Sequence, residues 1–142
     1  MNLFKFDILG DTPFNFSNRF KIQKYVYFAK YFNCDLGYDF NLYVHGPYSR
    51  QLADDYFELA ENGTEEILDL PEEFDDKSFY ELVENKDEKW LEAATTSLSL
   101  NSHFKNANSL LERVANMKPH ISKEEIYYTI LDLDRDKLLN LI

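Results

Sequence analysis

The sequence predicts a mostly helical α+β fold, with few short strands packed against a helical bundle, in a single domain over residues 1–142. Three observations predict this class. Apolar residues recur at helical spacing through most of the chain, and a single stretch alternates clearly with the two-residue period of a strand. Residues that start or stop helices bound most of the helical stretches. The length suits one ordinary domain.

A short extended arm over residues 4–9 leads into the first predicted helix, which runs from Arg19 to Asn33. Ser17 or Asn18 can cap its start, because a short polar side chain there accepts a backbone N–H that the helix leaves unpaired. Polar side chains are sparse in this segment, so we expect the helix to be largely buried. Its apolar face includes Ile22, Val26 and Ala29.

The next segment predicts a strand, a tight turn and a second helix. Phe40, Leu42 and Val44 alternate with polar or aromatic neighbours up to His45, which is the pattern of a strand with one buried face. Gly46 and Pro47 end this strand. Ser49 is placed to cap a helix over 50–62, and a further short strand is predicted over 66–70.

The remaining chain predicts four more helices. They cover about 77–84, 90–100, a stretch capped by Asn101 or Ser102 that ends at Met117, and a last helix after Ser122. Ser122 and Glu125 form a capping box. The side chains expected to point inward from the last helix are Ile126, Thr129, Ile130 and Leu133. The apolar end, 138–142, suggests a possible homodimer.

Charge is distributed unevenly. Residues 1–50 carry six basic and four acidic side chains, residues 51–88 two basic and fifteen acidic, and residues 89–142 seven of each. The middle segment therefore holds the whole excess of the net charge of −11. An acidic surface attracts basic partners and repels phosphate, so nucleic-acid binding is disfavoured unless a local basic face exists.

Compartment and membrane class follow from simpler features. The single cysteine, Cys34, has no partner for an internal disulfide, and the first residues lack the long apolar core of a signal peptide. No apolar run approaches the length of a membrane-spanning helix. We expect a cytoplasmic protein that does not associate with membranes.

Catalysis is not expected, and neither a metal ion nor a cofactor is predicted. The three histidines lack metal-ligand spacing, and the four glycines do not form a phosphate-binding loop. His45, Ser49 and Asp54 or Asp55 could be drawn as a hydrolytic set, but Ser49 already serves as a helix cap. Cys34 is better explained as a small buried side chain than as a nucleophile.

His45 leaves two interpretations open. It either fixes the Gly46-Pro47 turn by hydrogen bonds, or it presents a polar patch together with Tyr48 and Arg50 at the junction of strand and helix. Loops that join regular elements often carry binding residues, which is the basis of the second interpretation.

Three segments resemble a bacterial and archaeal family of small proteins that includes YwgA and is distantly similar to the SocA-like, or Panacea, antitoxin domain. The segments are FKIQKYVYFAKYF at 20–32, LYVHGPYSRQLADDYFEL at 42–59 and KPHISKEEIYYTILDL at 118–133. The family signature pairs a "KLQKLLYF"-like helix with "YGPYS" or "HGPYS". Here 21–24 match its first part, and 45–49 match its second.

The resemblance implies a helix-rich, winged-helix-like domain, and some relatives act as antitoxins or as adaptors that deliver a toxin to a protease. It brings no catalytic residues. The acidic residues 61–88 match no part of the family pattern, and a winged helix would need two wing strands where the sequence offers one, at 66–70.

Two functions follow, and both are non-catalytic. The first is binding of a basic protein partner, such as a toxin, through an acidic surface with aromatic anchors. Its candidate residues are His45, Tyr48, Arg50, Asp54, Asp55, Phe74, Phe79 and Tyr80. The alternative is a winged-helix transcriptional regulator that binds DNA through Arg19, Lys21, Lys24, Lys30 and Arg50.

Overall fold

The computed structural model describes residues 15–62 and 70–142, together with two short strands near the N-terminus. Within these residues the chain forms six α-helices. Side chains are described over 15–58 and 70–142. The strands are β1 (Asn2–Leu3), β2 (Phe6–Asp7), β3 (Asn41–Tyr43) and β4 (Gly46–Tyr48). The helices are α1 (Phe16–Ala29), α2 (Arg50–Asn62), α3 (Asp76–Val83), α4 (Glu88–Leu100), α5 (Ala107–Met117) and α6 (Lys123–Arg135). The mostly helical α+β class is confirmed.

The strands form two small sheets. β1 pairs with β2 in antiparallel register, and β3 pairs with β4. The rest of the predicted N-terminal arm and the strand predicted over 66–70 lie outside the described residues, apart from residue 70, which is not in a strand.

Two predicted helix caps are confirmed. The hydroxyl of Ser49 accepts the backbone N–H of Leu52 at 3.2 Å, and the hydroxyl of Ser122 accepts that of Glu125 at 3.1 Å. Each bond satisfies a backbone donor that the first helical turn leaves unpaired, which stabilises a helix by about 1 kcal/mol. The chain therefore starts α2 and α6 where the sequence predicts.

Two other predicted caps are wrong by a few residues. Asn15 caps α1, accepting from the backbone of Asn18 at 3.3 Å, and Asn106 caps α5. Asn101 is instead used elsewhere, because its side chain accepts the backbone N–H of Asn140 at 2.7 Å and donates to the carbonyl of the same residue at 3.2 Å. Neighbouring polar residues are equivalent as caps in sequence, and tertiary contacts choose among them.

The predicted strand is present but shorter than expected. β3 ends at Tyr43, and Val44, expected to point inward, is 80% exposed. The chain turns at Val44 and His45, and Gly46, with a φ of +94°, starts the returning strand instead of ending the first one. Pro47 fits this strand because a two-stranded sheet has open edges that need no backbone donor.

The contacts divide the chain into two compact units. The first unit comprises 1–41 and 48–84, and the second unit comprises 42–47 and 85–142. The tip of the β3–β4 hairpin thus belongs to the second unit. The single domain over residues 1–142 remains a prediction from the sequence.

In the first unit, α1 packs against α2 and α3, and a 3₁₀ turn, Lys30–Phe32, packs against α3. The prediction that α1 is largely buried is confirmed, because Ile22, Phe28 and Ala29 are fully buried and every residue from 22 to 29 is buried. The backbone N–H of Asp75 donates to the carbonyl of Phe32 at 2.9 Å and holds the start of α3 against this turn.

In the second unit, α4, α5 and α6 pack against one another. The four side chains predicted to point inward from α6 are buried: Ile126, Thr129, Ile130 and Leu133. The indole N–H of Trp90 donates to a carboxylate oxygen of Asp132 at 2.9 Å and links the start of α4 to α6. At the chain's end Leu139 is buried, whereas Ile142 is 93% exposed.

None of the helices in the described ranges combines the length and the apolar composition that crossing a membrane requires.

Cys34 is fully buried, and burial, followed by the charge of Asp35, raises the pKa of its thiol. Only a thiolate that the reagent can reach reacts quickly. We therefore expect Ellman's reagent to modify the native protein at least about a hundredfold more slowly than the urea-unfolded protein. Equal rates in the two states would contradict the burial.

Candidate functional site

A buried hydrogen-bond network joins the segments 20–32 and 42–59 through the side chain of Gln23. The side-chain carbonyl of Gln23 accepts the backbone N–H of Ser49 at 2.8 Å, and its amide N–H donates to the backbone carbonyl of Ser49 at 2.9 Å. Gln23 is 2% exposed and Ser49 is fully buried. Gln23 therefore satisfies both backbone groups of the residue whose hydroxyl caps α2.

The same network continues through two tyrosines. The hydroxyl of Tyr56 forms hydrogen bonds with the side chains of Gln23 and Tyr48. Burial is the main cause that raises the pKa of Tyr56 to about 12, while the bond to Gln23 opposes the rise. Tyr56 is thus a neutral hydroxyl near neutral pH, and Tyr48, although partly exposed, is tied to the core.

The described acidic side chains of the first unit all face solvent. They are Asp35, Asp39, Asp54, Asp55, Glu58, Glu72, Glu73, Asp75, Asp76, Glu81 and Glu84. None of these carboxylates forms an ion pair with a basic side chain of the described ranges. Their negative charge is therefore left unpaired by the basic side chains that the structure describes.

Asp55, a predicted partner-binding residue, has a local contact as well. The hydroxyl of Tyr38 donates to its carboxylate at 2.5 Å. Burial, and then this bond, raise the pKa of Tyr38. Asp55 nevertheless remains exposed, as Asp54 does, so both carboxylates are available at the surface.

The structure corrects two of the three predicted aromatic anchors. Phe79 is fully buried and Tyr80 is 9% exposed. The ring of Phe79 lies 5.9 Å from that of Phe32 and 5.5 Å from that of Phe74, measured between centroids. Phe79 and Tyr80 are on the face of α3 that packs into the core, so they are wrong as surface anchors. Phe74 is half-buried and still reaches the surface.

The predicted DNA-binding set also loses a member. Lys24 is 2% exposed, and its ammonium group lies 4.9 Å from the ring centroid of Phe20, so it is wrong as a phosphate contact. Arg19, Lys21 and Lys30 are half-buried, and Lys30 lies over the ring of Phe40. Arg50 alone of the predicted set is exposed.

Charge separates between the two units. The first unit contains seven basic and seventeen acidic residues, a net charge of −10, and the second contains eight basic and nine acidic residues, a net charge of −1. The predicted basic residues therefore belong to the strongly acidic unit. This negative charge would repel phosphate over roughly the Debye length, about 10 Å in 0.1 M salt.

The second unit contains a buried ion network that the sequence does not reveal. The carboxylate of Glu92, on α4, is 3.2 Å from the ammonium group of Lys118, and the two side chains are 7% and 2% exposed. Lys118 also donates to the backbone carbonyl of Val44, at the tip of the β3–β4 hairpin. The lysine therefore holds the hairpin tip and neutralises a carboxylate that water does not solvate.

Two histidines face the same carboxylate. Nε2 of His120 lies 2.9 Å from one oxygen of Glu92, and Nδ1 of His45 lies 4.0 Å from the other. Both imidazoles are more than half exposed. His45 thus has a structural contact in the second unit, while Tyr48 and Arg50, with which it was grouped, belong to the first unit.

The carboxylate of Glu92 beside two imidazoles resembles one part of an acid–base arrangement. A carboxylate that orients a histidine is one part of a nucleophilic mechanism, which also needs a nucleophile in hydrogen-bond reach. Within the described residues, the ring of His120 forms its hydrogen bond with Glu92. No group of three or more His, Cys, Asp or Glu in those ranges is placed to hold a metal ion.

Sequence reasoning missed Gln23, Glu92 and Lys118. One signal was available for Glu92, which stands in the apolar run Trp90–Ala94 on an amphipathic helix. A carboxylate on a buried face must find a cation or hydrogen-bond donors, so its position predicts a partner without naming it.

Comparisons with known proteins add no relative. No family model, no curated protein and no solved structure matches this chain.

Replacing Gln23 by leucine keeps a similar side-chain volume but leaves the buried N–H and carbonyl of Ser49 without these partners. We expect a loss of about 2–4 kcal/mol in the free energy of unfolding, measured by urea denaturation. The matched control is Gln51→Leu, because that side chain accepts a backbone N–H at an exposed site and its loss costs less than about 1 kcal/mol. Equal effects of both variants would contradict this role.

Replacing Lys118 by methionine leaves Glu92 buried without its cation. We expect a loss of about 3–5 kcal/mol, and the double variant Glu92→Leu with Lys118→Met should regain much of it. Lys123→Met is the control, since its pair with Glu112 is solvent-exposed and is worth less than about 1 kcal/mol. A Lys118→Met variant as stable as Lys123→Met would show that the buried pair does not hold this unit together.

Proposed function

We propose that this chain is a non-catalytic macromolecule-binding protein, antitoxin-like or adaptor-like, that binds a basic protein partner. The observation that carries the proposal is the set of exposed carboxylates of the first unit that form no ion pair with a basic side chain of the described residues. They repel one another in the isolated protein, and a partner of opposite charge relieves that repulsion. Complementary charge also accelerates encounter and rejects acidic competitors.

Lasting affinity needs apolar contact in addition to charge, because exposed ion pairs contribute little each. Phe74 is the predicted anchor that reaches the surface, and it lies beside acidic residues of the same unit: Glu72, Glu73, Asp75 and Asp76. A basic surface with an apolar depression would meet both features together. We therefore assign Phe74, Asp54 and Asp55 to the proposed binding surface.

The antitoxin-like or adaptor class comes from the family resemblance. Two of its segments are the ones that Gln23 and Ser49 join by reciprocal hydrogen bonds, so the resemblance concerns a structural junction of the first unit. The nature of the partner is taken from the charge. The location proposed is the cytoplasm, in keeping with a lone buried cysteine.

The proposal predicts salt-sensitive capture of a basic protein. Tagged protein would be incubated with host lysate in low salt and in about 0.5 M salt, and the retained proteins identified by mass spectrometry. We expect one recurrent basic protein that is lost at high salt. Retained nucleic acid would instead favour the DNA-binding alternative, and the absence of any specific protein at both salt concentrations would overturn the proposal.

A pair of variants separates the acidic surface from general charge effects. Asp54→Asn with Glu58→Gln removes two exposed carboxylates from α2, and we expect about a three- to tenfold loss of the captured protein in low salt. Asp134→Asn with Asp136→Asn makes the same change of charge in the second unit and should leave capture unchanged. Equal losses would indicate a net-charge effect without a defined surface.

A further inference from the structure

The outer face of α6 carries a stripe of large apolar side chains. Tyr127, Tyr128 and Leu131 are 48%, 57% and 39% exposed. At about 3.6 residues per turn these positions fall on one side of the helix, opposite the buried residues Ile126 and Ile130. Since α6 already packs against α4 and α5 through its other side, this stripe is a second apolar face.

Side chains of the stripe contact one another, and the apolar surface continues beyond the helix. The rings of Tyr127 and Tyr128 contact each other edge to face, with centroids 5.6 Å apart. Tyr128 also lines a cavity of about 340 Å³ together with Trp90 and Ile121. The apolar surface therefore extends from α6 towards the start of α4, which enlarges the area that association could remove from water.

A negative charge lies at one end of the stripe and a positive charge at the other. Glu124 lies in the first turn of α6 and Arg135 in its last turn, both exposed. The Arg135 side chain is 75% exposed and forms an ion pair with Asp132 of the same helix at 3.4 Å. Both charges complement the helix dipole, which is worth about 0.3–1 kcal/mol each, and both remain accessible to a partner.

We propose that a second copy of this chain docks on the α6 stripe, with the two helices antiparallel about a twofold axis. Positions 124 and 135 are equally far from the middle of the stripe, and so are positions 128 and 131. A twofold axis there sets Glu124 of one copy against Arg135 of the second copy, twice, and sets Tyr128 against Leu131. The face therefore contains its own complement, in charge and in apolar contact.

The charge of the second unit permits this association. Its net charge is −1, so two copies of this unit do not repel each other strongly, whereas the first unit carries −10. The interface is small, because a 13-residue helix is about 20 Å long and offers less than the roughly 800 Å² per partner of a standard interface. The dimer is accordingly weak.

This assignment differs from the homodimer suggested by the apolar chain end. Leu139 is buried within its own unit and Leu138 and Leu141 are half-buried, which leaves Ile142 as the exposed apolar side chain of that segment. One side chain offers little area, so α6 is the better face. The proposal does not depend on the basic partner and is tested with the protein alone.

The test is sedimentation equilibrium of the full chain across the micromolar range, with charge reversals at both ends of the stripe. We expect a monomer–dimer equilibrium. Arg135→Glu or Glu124→Arg alone should weaken it about tenfold or more, since each places like charges together, and the double reversal should restore it to within about threefold. Circular dichroism checks that each variant is folded.

Arg113→Glu is the matched control, because it makes the same charge change at an exposed position of α5, and it should leave the dimer unchanged. Tyr128→Ala should weaken the dimer through lost apolar contact without changing the charge. A chain that remains monomeric throughout, or a dimer that survives both single reversals, would overturn the assignment of this face.

Discussion

The reciprocal pair of hydrogen bonds between the Gln23 side chain and the backbone of Ser49 is the constraint on which the first unit depends. It satisfies two backbone groups that water cannot reach, and such groups are rarely left unpaired in a folded protein. Ser49 is thereby held where its hydroxyl caps α2. Tyr56, on the same helix, forms a hydrogen bond with the side chain of Gln23. One amide thus determines how α2 meets α1.

The second unit uses the same physical device with other residues. Asn101 pairs both backbone groups of Asn140, and Lys118 neutralises Glu92 while it holds the hairpin tip. Polar groups in a core are costly when their partners are missing, so networks of this kind permit few alternative packings. The H-G-P-Y-S turn has a structural contact at each of its ends, through His45 and Ser49.

Charge and apolar surface are assigned to different units, and they act over different ranges. The carboxylates of the first unit would attract a basic protein over roughly a Debye length, about 8–10 Å at ordinary salt. The stripe on α6 acts only at contact, because burial of apolar area requires the exclusion of water. The proposed self-association through α6 and the proposed binding of a basic partner would therefore use different units.

The sequence by itself determined that the helices exist, because their signals are local, although the caps of α1 and α5 lie at other residues than predicted. Periodicity and caps placed α2 at its observed bounds and identified the four inward residues of α6. Only the tertiary structure decided which polar and aromatic side chains are buried, as Lys24, Phe79 and Glu92 show. A helical pattern distinguishes polar from apolar positions, but the partner of a side chain comes from a segment distant in sequence. The candidate networks were therefore recognisable only in part, through His45 and Ser49.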